Sequence, residues 1–348
     1  MDLRDLLLLS IEKKASDLHL TDGTPPVLRV DGKLLLTRMP PLNREEMKKM
    51  IYSILTDSQK EKFEKDFELD FSLSLPGLDR FRANIHIQRG AVEAAFRRIP
   101  IFIPKIDELG LPTVVCDLAR RPNGLVLITG PTGMGKTTTL AAMIDLINQE
   151  KSSLITCIED PIEYVHYNKK CIIKQREVYS DTHSFAEALK RCLRQDPDII
   201  VVGEMRDLET ISTTLTAAET GHLVLATLHT PDAPQTIERI IDVFPPHQQQ
   251  QVRLQLSDCL QGVVSQLLLP RASGIGRVLA TEIMTATASV RNLIREQAVE
   301  QIPTVIQTGG QFGMKSMDKS LKELYQSGII SYDVALSKAK NPEEFKQL

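Results

Sequence analysis

The sequence predicts an α/β protein with two folded parts and a helical C-terminal stretch. Three observations carry that reading. The stretch Gly130-Pro131-Thr132-Gly133-Met134-Gly135-Lys136-Thr137 fits G-x-x-x-x-G-K-[ST] and sits between an apolar run and a helical stripe. From 113 to about 285, apolar runs alternate with helical patterns, as in a mostly parallel sheet covered by helices. Upstream, Ile99 to Pro112 is punctuated by prolines and cannot be one helix, so it reads as a linker. The expected segments are 1–99, a linker 100–112, a core 113–285 and a helical region 286–348.

The 348 residues are 42% hydrophobic and 25% charged, ordinary for a globular protein with real cores. The net charge of −3 argues against a nucleic-acid partner. No apolar run is long enough to span a bilayer, and Met1-Asp2-Leu3-Arg4-Asp5 lacks the basic flank of a signal peptide. The expected location is therefore cytoplasmic, with any membrane docking left to a partner. Five scattered cysteines without C-x-x-C suggest neither a zinc site nor a disulfide framework.

The first unit opens with an amphipathic leucine-rich helix. Ala15 to Leu20 alternates, and Pro26 to Lys33 reads as a strand entering a turn. His19 in the alternating run reads as a structural polar residue. Residues 43–65 read as helical and highly charged, and three strand-like runs follow, 68–75, 80–88 and 91–99. Arg80-Phe81-Arg82-Ala83-Asn84, with Arg89, Arg97 and Arg98, is locally basic. Such a run is ordinarily a solvated sheet face. The alternative is a set of arginines presented to a phosphate chain, on this subunit or a neighbouring one.

In the core, Gly124 to Thr129 is a short apolar run, as a buried parallel strand would be. Leu140, Met143, Ile144 and Ile147 then share one helix face. Glycines let backbone N–H groups curl around phosphate oxygens, and the helix N-terminus adds partial positive charge. Lys136 is expected to reach the β- and γ-phosphates of ATP, and the Thr137 hydroxyl to ligate Mg²⁺. An ordinary glycine-rich turn is the alternative; the flanking strand and helix favour the nucleotide.

Leu154 to Ile158 is a second strand, ending in Glu159-Asp160-Pro161-Ile162-Glu163. Carboxylates at the C-terminal end of such a strand lie where open α/β sheets bind ligands, so Glu159 and Glu163 are candidates for positioning metal or water. Ser184 to Glu187 reads as a capping box opening a helix. Ile199 to Glu204 is Walker-B-like, and Glu204 is the candidate for orienting the attacking water. Its alternative is a strand-terminal acid paired to Arg206 or Lys136. A helix from Asp207 stops at Gly221, and His222 to Thr230 is a strand with a histidine at each end. His229, on the ligand side, could sense the γ-phosphate; His222 at the opposite end fits a subunit contact equally well. Two helical stripes follow, one from Ile237 to Phe244 and one through Val252, Leu256, Leu260, Val263, Val264 and Leu267. Arg277 to Met284 is the last strand. Beyond 286 the chain reads as helices, with Asp318 and Ser331 as N-caps and Gly328 as a stop. Arg291 and Arg295 stand at i, i+4 on a face that is either solvated or docks a partner.

Taken together, these residues resemble the secretion ATPase family of type II and type IV systems, over essentially the whole chain. Its Walker A box corresponds to Gly130 through Thr138 and its Asp box to Ile158 through Glu163. Its Walker B box corresponds to Leu193 through Asp207 and its His box to His222 through Thr230. Val290-Arg291-Asn292-Leu293-Ile294-Arg295-Glu296 nearly matches the A-I-R-N-L-I-R-E motif of the retraction branch, and the tetracysteine module of assembly ATPases is missing. Met134 and Thr137 depart from G-S-G-K-S, and Ser289-Val290 replaces Ala-Ile, which leaves an accessory retraction paralogue open. The resemblance implies a PAS-like N-terminal domain, a RecA-like ATPase core and a ring-shaped homohexamer. It implies ATP between the two domains, with Arg82 and Arg97 as candidate phosphate contacts. It also implies a Mg²⁺-dependent motor for type IV pilus retraction, peripheral to the inner membrane. There it would work with a pilus platform protein, with or without a second retraction ATPase. Rival readings are another secretion ATPase, a nucleotide-gated scaffold without turnover, and a DNA translocase, which the net charge disfavours.

Overall fold

The computed structural model describes residues 2–30, 32–74, 80–99 and 102–346. Asp31, Leu75, Pro100 and Ile101, which the sequence reading touches, lie outside the described residues. The chain divides into two compact units, Met1–Phe102 and Ile103–Leu348.

The first unit runs α1 (Leu3–Glu12), β1 (Asp17–Leu20), β2 (Val27–Val30), β3 (Lys33–Leu36), α2 (Arg44–Tyr52), α3 (Asp57–Asp66), β4 (Glu68–Ser74), β5 (Arg80–Gln88) and β6 (Ala91–Ile99). Thr56 and Gln59 form a capping box that starts α3 afresh, so the charged stretch 43–65 is two helices. The six strands form an antiparallel sheet in the order β3-β2-β1-β6-β5-β4. Leu6 and Leu7 of α1, Met47 and Ile51 of α2 and Phe63 of α3 pack with Leu18, Phe81 and Phe96 from the sheet's apolar face. Alternation then sends the neighbouring residues to the opposite face. There Arg29, Asp17, Arg97, Arg82 and Ser72 stand in one cross-strand row.

The second unit runs α4 (Val114–Ala119), β7 (Gly124–Thr129), α5 (Lys136–Glu150), β8 (Leu154–Glu159), β9 (Ile172–Glu177), α6 (Phe185–Cys192), β10 (Ile199–Val202), α7 (Leu208–Glu219), β11 (Leu223–Leu228), α8 (Ala233–Asp242), α9 (Pro246–Cys259), β12 (Leu260–Pro270) and β13 (Arg277–Thr285). Five helices follow: α10 (Ala288–Arg295), α11 (Ile302–Thr308), α12 (Met317–Gln326), α13 (Tyr332–Lys338) and α14 (Pro342–Lys346). The sheet order is β13-β12-β7-β11-β10-β8-β9, parallel except where β13 turns back on β12. Strands β7, β10 and β11 are buried along their whole length, which is why they read as unbroken apolar runs. One apolar cluster, including Met143, Ile144 and Ile147 of α5, covers one part of the sheet; another, including Ile237, Ile240 and Leu256 of α8 and α9, covers another.

Two expectations are corrected here, and a third is given its contacts. The helical stripe through Leu260 and Leu267 ends at Cys259, because Leu260 onwards is β12, a buried strand whose apolar run satisfies helical spacing by chance. Ser316, not Asp318, caps α12; Asp318 instead accepts from Lys340 N and Asn341 N at 2.8 and 3.0 Å. Arg291 and Arg295 are tied to the end of α9, with Arg295 still exposed. Arg291 donates to the Ser257 and Asp258 carbonyls, and Arg295 reaches Ser257 Oγ at 2.9 Å and Asp258 Oδ1 at 2.6 Å, so both close the end of α9. Strands β3 and β9 were not anticipated.

Candidate nucleotide site

The buried strand β7, between β12 and β11, delivers the chain to Gly130, where the backbone takes φ +140° and passes close against β12. A Cβ there would lie 2.5 Å from Gln266 O. Both the torsion and the contact require glycine. The loop then turns into α5 through Gly135, which offers no side-chain cap. The first N–H groups of α5 are thus left for an acceptor from outside the helix, the arrangement that suits phosphate.

Lys136 is buried. Its Nζ donates to the carbonyls of Gly130 at 2.7 Å and Pro131 at 3.0 Å and lies 3.3 Å from His229 Nδ1. Burial lowers its pKa, opposed by the charges of Glu204 and Glu163. His229 follows β11; its Nε2 is 2.8 Å from Glu204 Oε1, and Thr132 Oγ1 is 3.4 Å from its Nδ1. Glu204 follows β10 and also meets Arg206 Nε at 2.6 Å. So the Arg206 pairing, which the strand pattern left as an alternative, is present together with the histidine contact. Burial acts to raise the Glu204 carboxyl, but the bond to Arg206 and the charges of His229 and Arg206 outweigh it and hold it below the usual range.

The other expected residues are distributed around this line. Glu159, buried at the end of β8, accepts from Gln175 Nε2 at 2.9 Å. Glu163 is exposed, and its charge is felt at Lys136. Thr137 and Thr138 are half-buried on the first turn of α5, and Thr138 Oγ1 is 3.1 Å from Tyr164 OH. Met134 is fixed by its thioether, which accepts from Leu268 N of β12 at 3.2 Å. Arg82 and Arg97 belong to the first unit, directly opposite each other on β5 and β6, and Asp17 Oδ1 accepts from Arg97 Nε at 2.8 Å. Among the described residues, no group of three or more His, Cys, Asp or Glu side chains could hold a metal ion.

Two polar residues that shape the site were missed. Gln266, buried in β12, donates to Thr139 Oγ1 of α5 at 2.7 Å. Gln175 of β9 holds the Asp160–His166 loop by donating to Tyr164 O at 2.7 Å and accepting from His166 N at 2.9 Å. A glutamine inside an apolar strand run was the available signal for Gln266; nothing local marked Gln175.

A largely parallel sheet in which β7 ends in a glycine loop around a lysine, with a histidine after the adjacent β11 and an acid after β10 beyond it, defines a phosphate-loop nucleotide protein. The chain belongs to the type II/IV secretion system protein family, whose model matches residues 108–332, more than half of its length. It is 52% identical over 345 residues to the type IV pilus retraction ATPase PilT of Pseudomonas aeruginosa, covering 99% of this chain and 100% of that one. It is 40% identical over 346 residues to the type IV pilus ATPase PilU of the same organism, covering 99% and 91%. Among solved structures, it matches the pilus retraction motor PilT with bound ADP at TM-score 0.95 and 48% identity, over 100% of both chains. No helix among the described residues is long and apolar enough to cross a membrane.

Proposed function

We propose that this chain is an ATP-hydrolysing motor that powers type IV pilus retraction. The observation that carries it is the unbroken line Lys136–His229–Glu204 beside the uncapped start of α5. Full-length likeness to PilT supports retraction, and the lower identity to PilU makes the accessory paralogue the second choice.

ATP phosphates would rest on the first amides of α5, with Lys136 neutralising their charge. Thr137 would hold a Mg²⁺ through its hydroxyl, and the ion would supply charge screening to the phosphates. Glu204, kept ionised by Arg206 and His229, would accept a hydrogen bond from the attacking water. His229 would report the state of the phosphate end to Glu204, since it touches both that acid and Lys136. Glu159 and Glu163 would orient water beside the phosphates or support a bound metal. Arg82 and Arg97 would supply further positive charge to the phosphates, Arg97 being pinned by Asp17. A homohexamer docked on an inner-membrane platform protein, with or without a second retraction ATPase, is the assembly in which this chain would work.

The test is ATP turnover across sizing-column fractions, wild type beside Glu204→Gln. Activity confined to a hexamer-sized peak and reduced about 10²-fold or more in the variant supports the motor. Wild-type turnover by Glu204→Gln would remove Glu204 from the water-orienting role. ATP binding without turnover in any wild-type fraction would favour a nucleotide-gated scaffold.

A further inference from the structure

One charge cluster in the second unit has no part in the chemistry above. Asp232 and Glu282, with side chains only 10% and 5% exposed, both meet Lys340 Nζ, at 2.9 and 3.0 Å. Asp232 is the N-cap of α8 and accepts from Gln235 N at 2.9 Å; Glu282 Oε1 accepts from Ala233 N at 3.0 Å. Two carboxylates therefore sit at the positive end of one helix. Lys340 comes from the turn after α13, where Asp318 of α12 receives its backbone N–H. Burial alone would lower the Lys340 pKa, but the charge of Glu282 and the bond and charge of Asp232 raise it above the ordinary lysine value. One ammonium thus fastens the C-terminal helices to the start of α8.

The start of α8 is also the end of the His229 loop. Thr230 Oγ1 lies 2.7 Å from Thr236 Oγ1, folding the loop back onto the first turn of the helix. On the other side, Glu282 is the cross-strand partner of Ser265, whose Oγ accepts from Thr129 Oγ1 at 2.9 Å. Thr129 is the last residue before the glycine loop. Without the lysine, two desolvated carboxylates would face each other, and their repulsion would act on the helix start that follows His229.

We propose that Lys340 is a positioning residue that couples the C-terminal helices to the nucleotide site by holding Asp232 and Glu282 together and so setting the His229 loop. The effect on turnover rests on the motor reading above; the effect on the loop does not. The test is hydrogen exchange by mass spectrometry and ATP turnover on the full chain, for wild type, Lys340→Ala and Lys340→Arg. In Lys340→Ala, amides in 229–241 exchange about tenfold faster. Its kcat falls about tenfold while KM for ATP stays within about twofold. Lys340→Arg keeps both near wild type. Faster exchange limited to 316–346, or kcat unchanged, would overturn the coupling. Should Lys340→Ala fail to fold, Lys340→Ala with Glu282→Gln removes the repulsion and is expected to recover folding and part of the turnover; no recovery overturns the proposal. If the wild-type chain hydrolyses no ATP, the motor reading fails while exchange in 229–241 still decides whether Lys340 sets the loop.

Discussion

His229 stands between Lys136 and Glu204, its Nδ1 3.3 Å from the lysine ammonium and its Nε2 2.8 Å from the carboxylate. The ring thus bridges the end of the phosphate loop and the acid at the end of the next strand but one. The two contacts use opposite nitrogens of the one ring, so a change at one is felt at the other through the tautomer.

His229→Ala is therefore expected to reduce kcat at least about tenfold with little change in ATP affinity, since Lys136 keeps its place on the Gly130 and Pro131 carbonyls. Steady-state kinetics with a nucleotide-binding titration checks this. A pure rise in KM would make His229 a binding residue only.

Gly130→Ala is expected to destabilise the second unit by about 2 kcal/mol or more, because its Cβ would press on the backbone oxygen of Gln266 in a torsion alanine avoids. Denaturant unfolding should show the loss, with nucleotide affinity falling in parallel. Wild-type stability would mean that β12 can yield at this contact.

Charge reversal at Arg291 and Arg295 is expected to lower stability by about 1–3 kcal/mol, since the Ser257 and Asp258 carbonyls lose their donors at the α9–β12 corner. Because β12 carries Gln266, turnover is expected to fall too. Unchanged melting and unchanged hydrolysis would instead leave these arginines as a solvated or partner-docking face.

His166 is buried and its pKa is pushed down to about 4, chiefly by burial. A depressed histidine pKa means the unfolded chain binds the proton first. Its stabilising contribution is thus present above about pH 6.5 and is lost as pH falls towards 4, by at most about 3 kcal/mol. His166→Phe should flatten the fall in unfolding free energy between those pH values; an unaltered slope would place the acid sensitivity elsewhere.

How much of this was legible in the sequence depends on the range of each interaction. The glycine loop, the strand before it and the helix after it are local, and phosphate chemistry constrains their residue types directly. Glu204 and His229 could be nominated because a buried parallel strand ends where the apolar run ends. Gln266 meets Thr139 from 127 positions away, and Lys340 meets Glu282 across 58. No spacing rule covers such pairs. Strand β12 was misread because Val263, Val264 and Leu267 suit a helix face as well as a buried strand.

The glycine loop is mechanically uneven. At Gly130 it is pressed onto the backbone of β12, whereas a Cβ at Gly133 or Gly135 would meet no atom within 4 Å. Room at those two glycines does not leave the stretch between them unattached, because the Met134 thioether accepts from Leu268 N of β12 at 3.2 Å. The loop is therefore stitched to β12 twice, at Gly130 by backbone contact and at Met134 by its side chain. Any displacement of the loop root has to be shared with β12, and through its ladder with β13.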